Sequence, residues 1–202
     1  MHPRETGRRY DAIASFWDEK RRESVQGVKF LERAIAVCKL RGNALDVGCG
    51  SGGPMIDKML TAGFKVTGID VSAVLLEISK SRYPSVEFVH ADITEWVAPR
   101  RFELIVAWDS IFHLPHDSHV PVIAKLCGYL AKHGVLLFTA GGIDGEIVGN
   151  MHGYEFAYSS LSDTALIELV YRGGCVPILS ERDQYPLHHL VVIAARNGES
   201  SA

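Results

Sequence analysis

Short apolar runs alternate with longer amphipathic segments through most of the 202 residues. The apolar runs hold few polar positions, as in strands that are buried on both faces of a sheet. The longer segments place apolar residues at intervals of three or four, the spacing of a helix that packs on one side. The pattern therefore predicts a mostly parallel sheet with helices on both of its faces.

The predicted sheet closes with a hairpin. Strands at about 176–185 and 188–195 are separated by two residues that begin with Pro186, a spacing typical of an antiparallel pair. The other predicted strands lie at about 44–46, 65–70, 86–92, 102–109 and 134–139. The predicted helices lie at about 6–22, 25–40, 54–62, 72–83, 118–132 and 162–171.

Composition favours a single globular domain, which we predict to span residues 1–202. Hydrophobic residues make up 47% of the chain and charged residues 22%, ordinary values for a globular protein. A formal net charge of -3 gives no electrostatic support for a nucleic-acid partner, and the apolar runs are too short to span a bilayer. The 4 cysteines show no Cys-x-x-Cys spacing and no secretory signal opens the chain, so we expect a reduced, cytoplasmic protein.

A glycine-rich turn follows the first predicted strand. Glycines let the backbone approach a ligand closely, and the next helix points free N–H groups and its positive dipole end at the turn. One pattern, Gly-x-Gly-x-x-Gly from Gly48 to Gly53, fits a dinucleotide fingerprint with Asp70 about 20 residues further on. A second pattern, Asp-x-Gly-x-Gly-x-Gly from Asp46 to Gly52, fits the same residues.

The charge of Asp46 helps to separate the two patterns. A dinucleotide would bring a pyrophosphate to the turn, and a carboxylate there would repel it. S-adenosylmethionine carries an ammonium and a sulfonium, which a carboxylate attracts. The sequence therefore favours the sulfonium cofactor over a nicotinamide dinucleotide.

Acids end four successive predicted strands: Asp46, Asp70, Asp92 and Asp109. Any one of them alone would commonly be the N-cap of a following helix. Ligands of parallel α/β sheets bind at the carboxyl ends of the strands, where the strand order reverses. We therefore expect all four carboxylates to face one crevice.

Together these motifs resemble the class I S-adenosylmethionine-dependent methyltransferases over roughly residues 40–196. The resemblance implies an α/β, Rossmann-like fold, a seven-stranded mostly parallel sheet with an antiparallel last strand and helices on both faces. It also implies S-adenosyl-L-methionine as the cofactor. The glycine turn would hold the methionine moiety, Asp70 both ribose hydroxyls, and Asp92 with a neighbouring backbone N–H the adenine. The cofactor-binding residues predicted in this way are Asp46, Gly48, Cys49, Gly50, Gly52, Asp70, Val71, Asp92, Ile93, Trp108, Tyr10 and Trp17.

Residues 1–40 are predicted to form an N-terminal helical cap. In similar enzymes the corresponding segment closes over the cofactor, which is the role predicted for Tyr10 and Trp17. The alternative is that both aromatic side chains only pack their helix onto the core.

Acceptor contacts are predicted in two segments. The first is the loop after the fourth strand, where His113 is the candidate general base because its pKa lies near neutrality; the alternative is a histidine that only bonds to its loop. The second is a lid-like insert at 143–160. The alternative is that residues 154–158 form an extended segment with alternating aromatic side chains that only packs on the domain. The predicted substrate contacts are Asp109, His113, His152, Tyr154 and Tyr158.

The same loop raises the question of a metal site. His113, His116 and His119 lie near Asp117, and these are residue types that bind metals. Their three-residue spacing crosses Pro115 and does not place all three histidines on one face. We therefore predict no metal.

The first functional hypothesis is a methyltransferase that uses S-adenosylmethionine to methylate oxygen or nitrogen of a small molecule. It is predicted to act as a monomer or homodimer, with no nucleic-acid or membrane partner. The second hypothesis is a NAD(P)-dependent oxidoreductase. The third is a non-catalytic protein of the same fold that binds the cofactor.

Overall fold

A computed structural model describes residues 1–142, 144–185 and 189–198. Within these ranges three helices precede the first strand, and strands and helices then alternate. The helices are α1 (Pro3–Ala12), α2 (Ala14–Arg22), α3 (Val28–Val37), α4 (Pro54–Thr61), α5 (Ala73–Arg82), α6 (His119–Tyr129) and α7 (Asp163–Arg172). The strands are β1 (Asn43–Val47), β2 (Lys65–Asp70), β3 (Glu87–His90), β4 (Phe102–Ala107), β5 (Leu130–Ala140), β6 (Gly145–Met151), β7 (Tyr154–Ser160), β8 (Cys175–Asp183) and β9 (His189–Arg196).

Seven strands form the main sheet in the order β3-β2-β1-β4-β5-β9-β8. Strands β1 to β5 pair in parallel, whereas β9 runs antiparallel to both of its neighbours, β5 and β8. The chain reverses its direction of winding between β1 and β4, and such a switch point opens a crevice at the carboxyl ends of the strands. The predicted mostly parallel sheet and its antiparallel last strand are confirmed.

Side chains of the central strands alternate between two apolar cores. In β4, Ile105 and Ala107 belong to the core beneath α6 and α7, while Leu104 and Val106 belong to the core beneath α3 and α4. Successive residues of a strand point to opposite faces, so a strand covered on both sides is apolar throughout. The helices therefore cover both faces of the sheet, as the apolar runs predicted.

The N-terminal segment differs from the prediction of one helix at 6–22. Backbone angles of φ −114° and ψ 16° at Ile13 interrupt the helix, so α1 and α2 are separate. The third helix begins at Val28 and not near 25, because Gly27 precedes it in a left-handed conformation with φ 79°. A Cβ at Gly27 would lie 2.3 Å from Cε2 of Trp108, so this turn requires glycine.

Other boundaries shift by a few residues. Helix α6 ends at Tyr129 and β5 begins directly at Leu130, so the predicted helix at 118–132 was too long. Strands β3 and β4 end two residues before Asp92 and Asp109, which therefore lie in the loops that follow. The turn predicted at Pro186 lies outside the described residues.

Strands β6 and β7 form an antiparallel hairpin that is separate from the main sheet. The sequence predicted only a lid-like insert here, and its first residue, Ile143, lies outside the described part of the chain. Phe156 of β7 is fully buried, whereas Ile147 and Val148 of β6 are 64% and 67% exposed. The hairpin therefore packs on the domain through β7. An extended segment packed in this way is the alternative given above for residues 154–158.

We predict that truncating a fully buried side chain of α6 lowers the stability of the domain. Leu126→Ala should reduce the free energy of unfolding by about 3 kcal/mol, because it leaves a cavity between α6 and the sheet. Val120 is 48% exposed on the same helix, so Val120→Ala should change the stability by less than about 0.5 kcal/mol. Urea unfolding of both variants measures the difference, and equal losses would contradict the assigned packing of α6.

Candidate active site

Two adjoining cavities open at the carboxyl edge of the sheet, beside the switch point between β1 and β4. The β3-side cavity is lined by Asp70, Asp92 and Ile93, and the glycine-turn cavity by Asp46, Asp70 and Asp109. The four strand-end acids therefore converge on one crevice, as predicted. The two cavities share the residues Thr6, Gly48, Asp70, Val71, Ser110 and His113.

The turn after β1 depends on left-handed glycines. Gly48, Gly50 and Gly52 have φ values of 74°, 53° and 78°, which side chains other than glycine rarely adopt. A Cβ on Gly48 would lie 2.3 Å from Cβ of Ser110, so the turn has no room for a side chain there. This compact turn leads into α4, which begins at Pro54 as predicted.

Asp46 is the residue before the last of β1 and lines the glycine-turn cavity, with only 4% of its surface exposed. Burial raises the pKa of its carboxyl to about 7, the nearby Arg21 guanidinium opposes that rise, and the Asp70 carboxylate adds to it. A bound ammonium group would favour the ionised form of Asp46. The site is therefore suited to a ligand that brings positive charge.

Asp70 joins two turns of the crevice. The Gly50 N–H donates to Oδ2 over 2.7 Å, and the Ser72 N–H donates to Oδ1 over 2.8 Å. Each carboxylate oxygen has a second lone pair, so these bonds leave capacity for a ligand diol. Burial raises the pKa of Asp70, and the two backbone N–H groups oppose that rise.

Asp92 presents an unpaired acceptor to the β3-side cavity. Its Oδ1 accepts hydrogen bonds from the backbone N–H and the hydroxyl of Thr94, at 2.9 and 2.8 Å. Its Oδ2 is buried and has no partner among the described residues. A buried acceptor without a hydrogen-bond partner costs desolvation free energy, so a ligand donor such as an exocyclic amino group would stabilise this atom.

Trp108 leaves a second polar atom without a partner. Its ring is buried against Phe30, with ring centroids 5.8 Å apart, and its Nε1–H has no acceptor among the described residues. Trp108 lines the glycine-turn cavity together with Arg21 from α2. A carboxylate ligand would suit both of these donors.

Helix α1 covers the crevice from the N-terminal side. A Cβ at Gly7 would lie 2.3 Å from the carbonyl oxygen of Val71, so the helix backbone touches the turn after β2. The Asp11 carboxylate accepts hydrogen bonds from the Ser72 hydroxyl at 2.6 Å and from the Val74 N–H at 3.0 Å. Side-chain bonds thus tie α1 to the beginning of α5.

Tyr10 and Trp17 both line the glycine-turn cavity, on the side predicted for the helical cap. Their ring centroids are 5.2 Å apart, and Tyr10 also packs on Phe156 of β7 at 4.9 Å. The aromatic side chains of α1 and α2 therefore form one wall of the crevice.

His113 lies between α1 and the β6–β7 hairpin. Its Nδ1 is 3.0 Å from the carbonyl oxygen of Ala157 and its Nε2 is 2.9 Å from Oη of Tyr10. A carbonyl only accepts, so Nδ1 carries the proton and the Tyr10 hydroxyl donates to Nε2. Burial lowers the pKa of His113 to about 4, which keeps the imidazole neutral at physiological pH.

The remaining predicted acceptor contacts lie further out. His152 is in the hairpin turn at φ 51° and its ring stacks on Phe16, while Tyr154 is 42% exposed at the start of β7. Tyr158 packs on the His113 ring with centroids 4.7 Å apart. None of these three residues lines the two cavities as the described residues define them.

His113, His116 and His119 contact three different residues in or next to the β6–β7 hairpin. His116 Nε2 lies 3.1 Å from the Asp144 carboxylate, and His119 Nε2 lies 2.9 Å from the Ser159 hydroxyl. Together with the His113 bond to Ala157, these contacts fasten the hairpin to the loop after β4. Among the described residues, no group of three or more His, Cys, Asp or Glu side chains could hold a metal ion.

The sequence analysis missed several residues of the crevice. Arg21 follows Trp17 by four residues and so lies on the same helical face, a spacing that could have identified it. Thr6 and Ser110 line both cavities, yet nothing in their sequence context distinguishes them from ordinary polar residues. Gln184, which donates to Asp109 from the turn after β8, has no sequence signal at all.

The strand order and the strand-end acids define the fold of the class I S-adenosylmethionine-dependent methyltransferases. Comparisons agree, since residues 44–134 match the family model of the methyltransferase domain. A structure of an S-adenosylmethionine-dependent methyltransferase from Clostridium acetobutylicum ATCC 824 superposes with a TM-score of 0.71 at 14% identity, covering 94% of this chain and 99% of that one. The 1,6-didemethyltoxoflavin-N1-methyltransferase of Burkholderia thailandensis superposes with a TM-score of 0.64 at 20% identity, covering 95% and 90%.

Among curated relatives, the trans-aconitate 2-methyltransferase of Rhodopseudomonas palustris (strain BisA53) is 36% identical over 95 residues. The matched part covers 46% of this chain and 36% of that protein, so this chain spans about a third of the relative's length. The chain is therefore similar to the methyltransferase domain family over residues 44–134, and its fold is that of the class I methyltransferases. No helix in the described ranges is long and apolar enough to cross a membrane.

We predict that the affinity for S-adenosylhomocysteine depends on the ionisation of Asp46. Because burial raises its pKa to about 7, the carboxyl is increasingly protonated below pH 7 and loses its attraction for the ligand ammonium. Affinity measured by calorimetry should fall as the pH drops from 7.5 to 5.5, with a slope approaching about tenfold per unit. Asp46→Asn should bind weakly and lack that slope, and an equal slope in this variant would assign the titration to another group.

We also predict that Gly7→Val displaces α1. The new side chain would meet the Val71 carbonyl oxygen, so the helix cannot keep its contact with the turn after β2. S-adenosylhomocysteine affinity should fall at least about tenfold while the unfolding transition of the sheet domain persists. Arg8→Ala on the exposed face of the same helix is the control and should bind normally. Normal binding by Gly7→Val would show that α1 is not part of the site.

Proposed function

We propose that the chain is an S-adenosylmethionine-dependent methyltransferase that methylates an oxygen or nitrogen of a small-molecule acceptor. The observation that carries the proposal is the set of unpaired buried atoms in a crevice of this fold. Among the described residues Asp92 Oδ2 lacks a donor and Trp108 Nε1 lacks an acceptor, and the buried Asp46 carboxyl keeps a raised pKa that a cation in addition to Arg21 would lower. An adenosine attached to a methionine would supply all three groups.

The residues that would hold the cofactor follow from their chemistry. Asp92 would accept from the adenine amino group with Ile93 beside it, and Asp70 would accept from the ribose hydroxyls. Asp46 would face the ammonium of the methionine moiety, while Arg21 and Trp108 would donate to its carboxylate. When bound, S-adenosylmethionine supplies an electrophilic methyl group on a sulfonium.

The protein contributes mainly position and exclusion of water. Methyl transfer needs an aligned nucleophile in a dry site, and alignment alone supplies several kcal/mol of the barrier. The aromatic side chains of Tyr10 and Trp17, with α1 above the crevice, keep water from that part of the cavity. The predicted role of the helical cap is thus part of the proposal.

His113 remains the proposed general base, and its hydrogen bonds define the path by which a proton would reach it. Its Nε2 already accepts from the Tyr10 hydroxyl, so a proton from an acceptor would reach His113 through Oη of Tyr10. Burial lowers the pKa of His113 and raises that of Tyr10, which keeps both groups neutral. A neutral imidazole is able to accept a proton, but its lowered pKa makes it a weaker base than the near-neutral histidine that the sequence predicted.

The acceptor is proposed to be a small molecule because α1 covers the crevice and the hairpin packs on Tyr10 and His113 at its side. The similar proteins bear names that include trans-aconitate 2-methyltransferase and 1,6-didemethyltoxoflavin-N1-methyltransferase, so oxygen and nitrogen acceptors both remain open. Tyr158, His152 and Tyr154 stay proposed acceptor contacts of the hairpin. A cytoplasmic location and a monomeric or homodimeric state also stay predictions.

A nicotinamide-dependent oxidoreductase is the alternative that the glycine fingerprint alone would allow. The buried carboxyl of Asp46 argues against it, since a pyrophosphate would bring negative charge to the same cavity. Calorimetric titration with S-adenosylhomocysteine and with NADH separates the two. We expect binding of the first only, and tight binding of NADH alone would overturn the proposal.

We predict that Asp70→Ala weakens S-adenosylhomocysteine binding by about 100-fold. The change removes two hydrogen bonds from the ribose diol to a charged group, each contributing at least about 1.5 kcal/mol. It also frees the Gly50 and Ser72 N–H groups, so thermal unfolding must be followed in parallel. Asp117→Ala, an exposed acid of the loop after β4, is the control. Unchanged affinity in Asp70→Ala would leave Asp70 as a structural cap only.

A further inference from the structure

Asp109, in the loop after β4, is held in an unusual conformation at the acceptor end of the crevice. Its φ of 49° is left-handed, which costs a non-glycine residue about 1 kcal/mol or more. The backbone N–H donates to the Thr139 hydroxyl over 2.7 Å, and that hydroxyl lies 3.2 Å from Asp109 Oδ1. Such strain persists where surrounding contacts impose it, and it is common at ligand sites.

The contacts of Asp109 all involve one carboxylate oxygen. Gln184 Nε2 donates to Oδ1 over 2.7 Å, and His189 Nδ1 lies 3.5 Å from the same atom. Gln184 is itself left-handed with φ 61°. No described residue donates a hydrogen bond to Oδ2, although Asp109 lines the glycine-turn cavity. The described contacts therefore hold Oδ1, and Oδ2 is the carboxylate oxygen that has no donor among the described residues.

Charge in this cavity favours a donor or a cation as the ligand of Oδ2. Among the described lining residues, Asp46, Asp70 and Asp109 are acids and Arg21 is the one permanent cation. Arg21 lies near Asp46, whose pKa it lowers, and so acts at the methionine end. An acceptor bearing carboxylates would meet a fixed acid without a partner cation.

We propose that Asp109 Oδ2 is the recognition group for the acceptor and that it selects an amine, with Gln184 and Thr139 as positioning residues. The inference rests on the proposed methyltransferase function and deepens it by choosing nitrogen over oxygen. An acceptor that binds Oδ2 as an ammonium must lose one N–H proton before transfer, and that proton would pass through Oη of Tyr10 to Nε2 of His113, which frees the nitrogen lone pair for the methyl group. Tyr10 and Trp17 beside Asp109 supply aromatic surface for a flat acceptor and for the positive charge of a methylated nitrogen.

The test compares three probes of nearly equal shape: benzylamine, benzyl alcohol and benzoate. Their binding is measured by protein-observed NMR on the chain saturated with S-adenosylhomocysteine. We expect benzylamine to bind at least about tenfold more tightly than either of the others, because only its N–H donors are charge-assisted at neutral pH. Asp109→Asn keeps the shape and removes the charge, so benzylamine binding should weaken about tenfold.

Two controls make the result specific. Asp117→Asn, the exposed acid of the same loop, should leave all three affinities and the S-adenosylhomocysteine affinity unchanged, and every variant is compared while saturated with S-adenosylhomocysteine. Gln184→Leu should weaken benzylamine binding while retaining S-adenosylhomocysteine, since it frees the carboxylate to turn.

The inference is overturned if benzoate or benzyl alcohol binds as tightly as benzylamine, or if Asp109→Asn keeps the preference. Absence of detectable binding of all three probes at millimolar concentration also overturns it. Failure of the proposed function is seen separately, because the chain would then not bind S-adenosylhomocysteine in the first titration.

Discussion

The carboxylate of Asp70 is the interaction on which the crevice depends. Its two oxygens accept backbone N–H groups from Gly50 and Ser72, and so fix the turn after β1 against the turn after β2. Ser72 in turn caps α5 and donates to Asp11 of α1. One buried acid thus links the glycine turn to Ser72, which caps α5 and bonds to α1, and its remaining lone pairs stay available to a ligand.

Two further elements close the crevice, and both depend on His113. The Tyr10 hydroxyl bonds it to α1, and the Ala157 carbonyl bonds it to the hairpin. A charged imidazole could not accept from Tyr10, so the closed arrangement requires the neutral ring that burial enforces. The histidine that the sequence singled out as a base is therefore also a junction between two covering elements.

Much of this arrangement could be predicted from the sequence. Nearly continuous apolar runs identify the strands of a sheet that is covered on both sides, and the shared edge of parallel strands brings Asp46, Asp70 and Asp92 together. The β6–β7 hairpin could not be predicted in this way, because Phe156 is the only buried hydrophobic residue of its two strands and the remaining positions give no period. The break at Ile13 escaped prediction because the apolar spacing continues through it.

The residues at the acceptor end of the crevice could not be brought together from the sequence alone. Asp109 and Gln184 follow the ends of β4 and β8, and His189 begins β9. They meet because β9 runs antiparallel and starts at the edge where β4 and β8 end. The sheet topology brings these three residues together. The left-handed backbone angles at Asp109 and Gln184 then set the orientation in which Gln184 donates to Oδ1 of Asp109. A residue held against its conformational preference by contacts from three strands is determined by the assembled sheet and not by its neighbours in the chain. The proposed acceptor site therefore exists only when the strands have assembled at the carboxyl edge of the sheet, whereas the glycine-rich turn of the cofactor site is recognisable in one stretch of sequence.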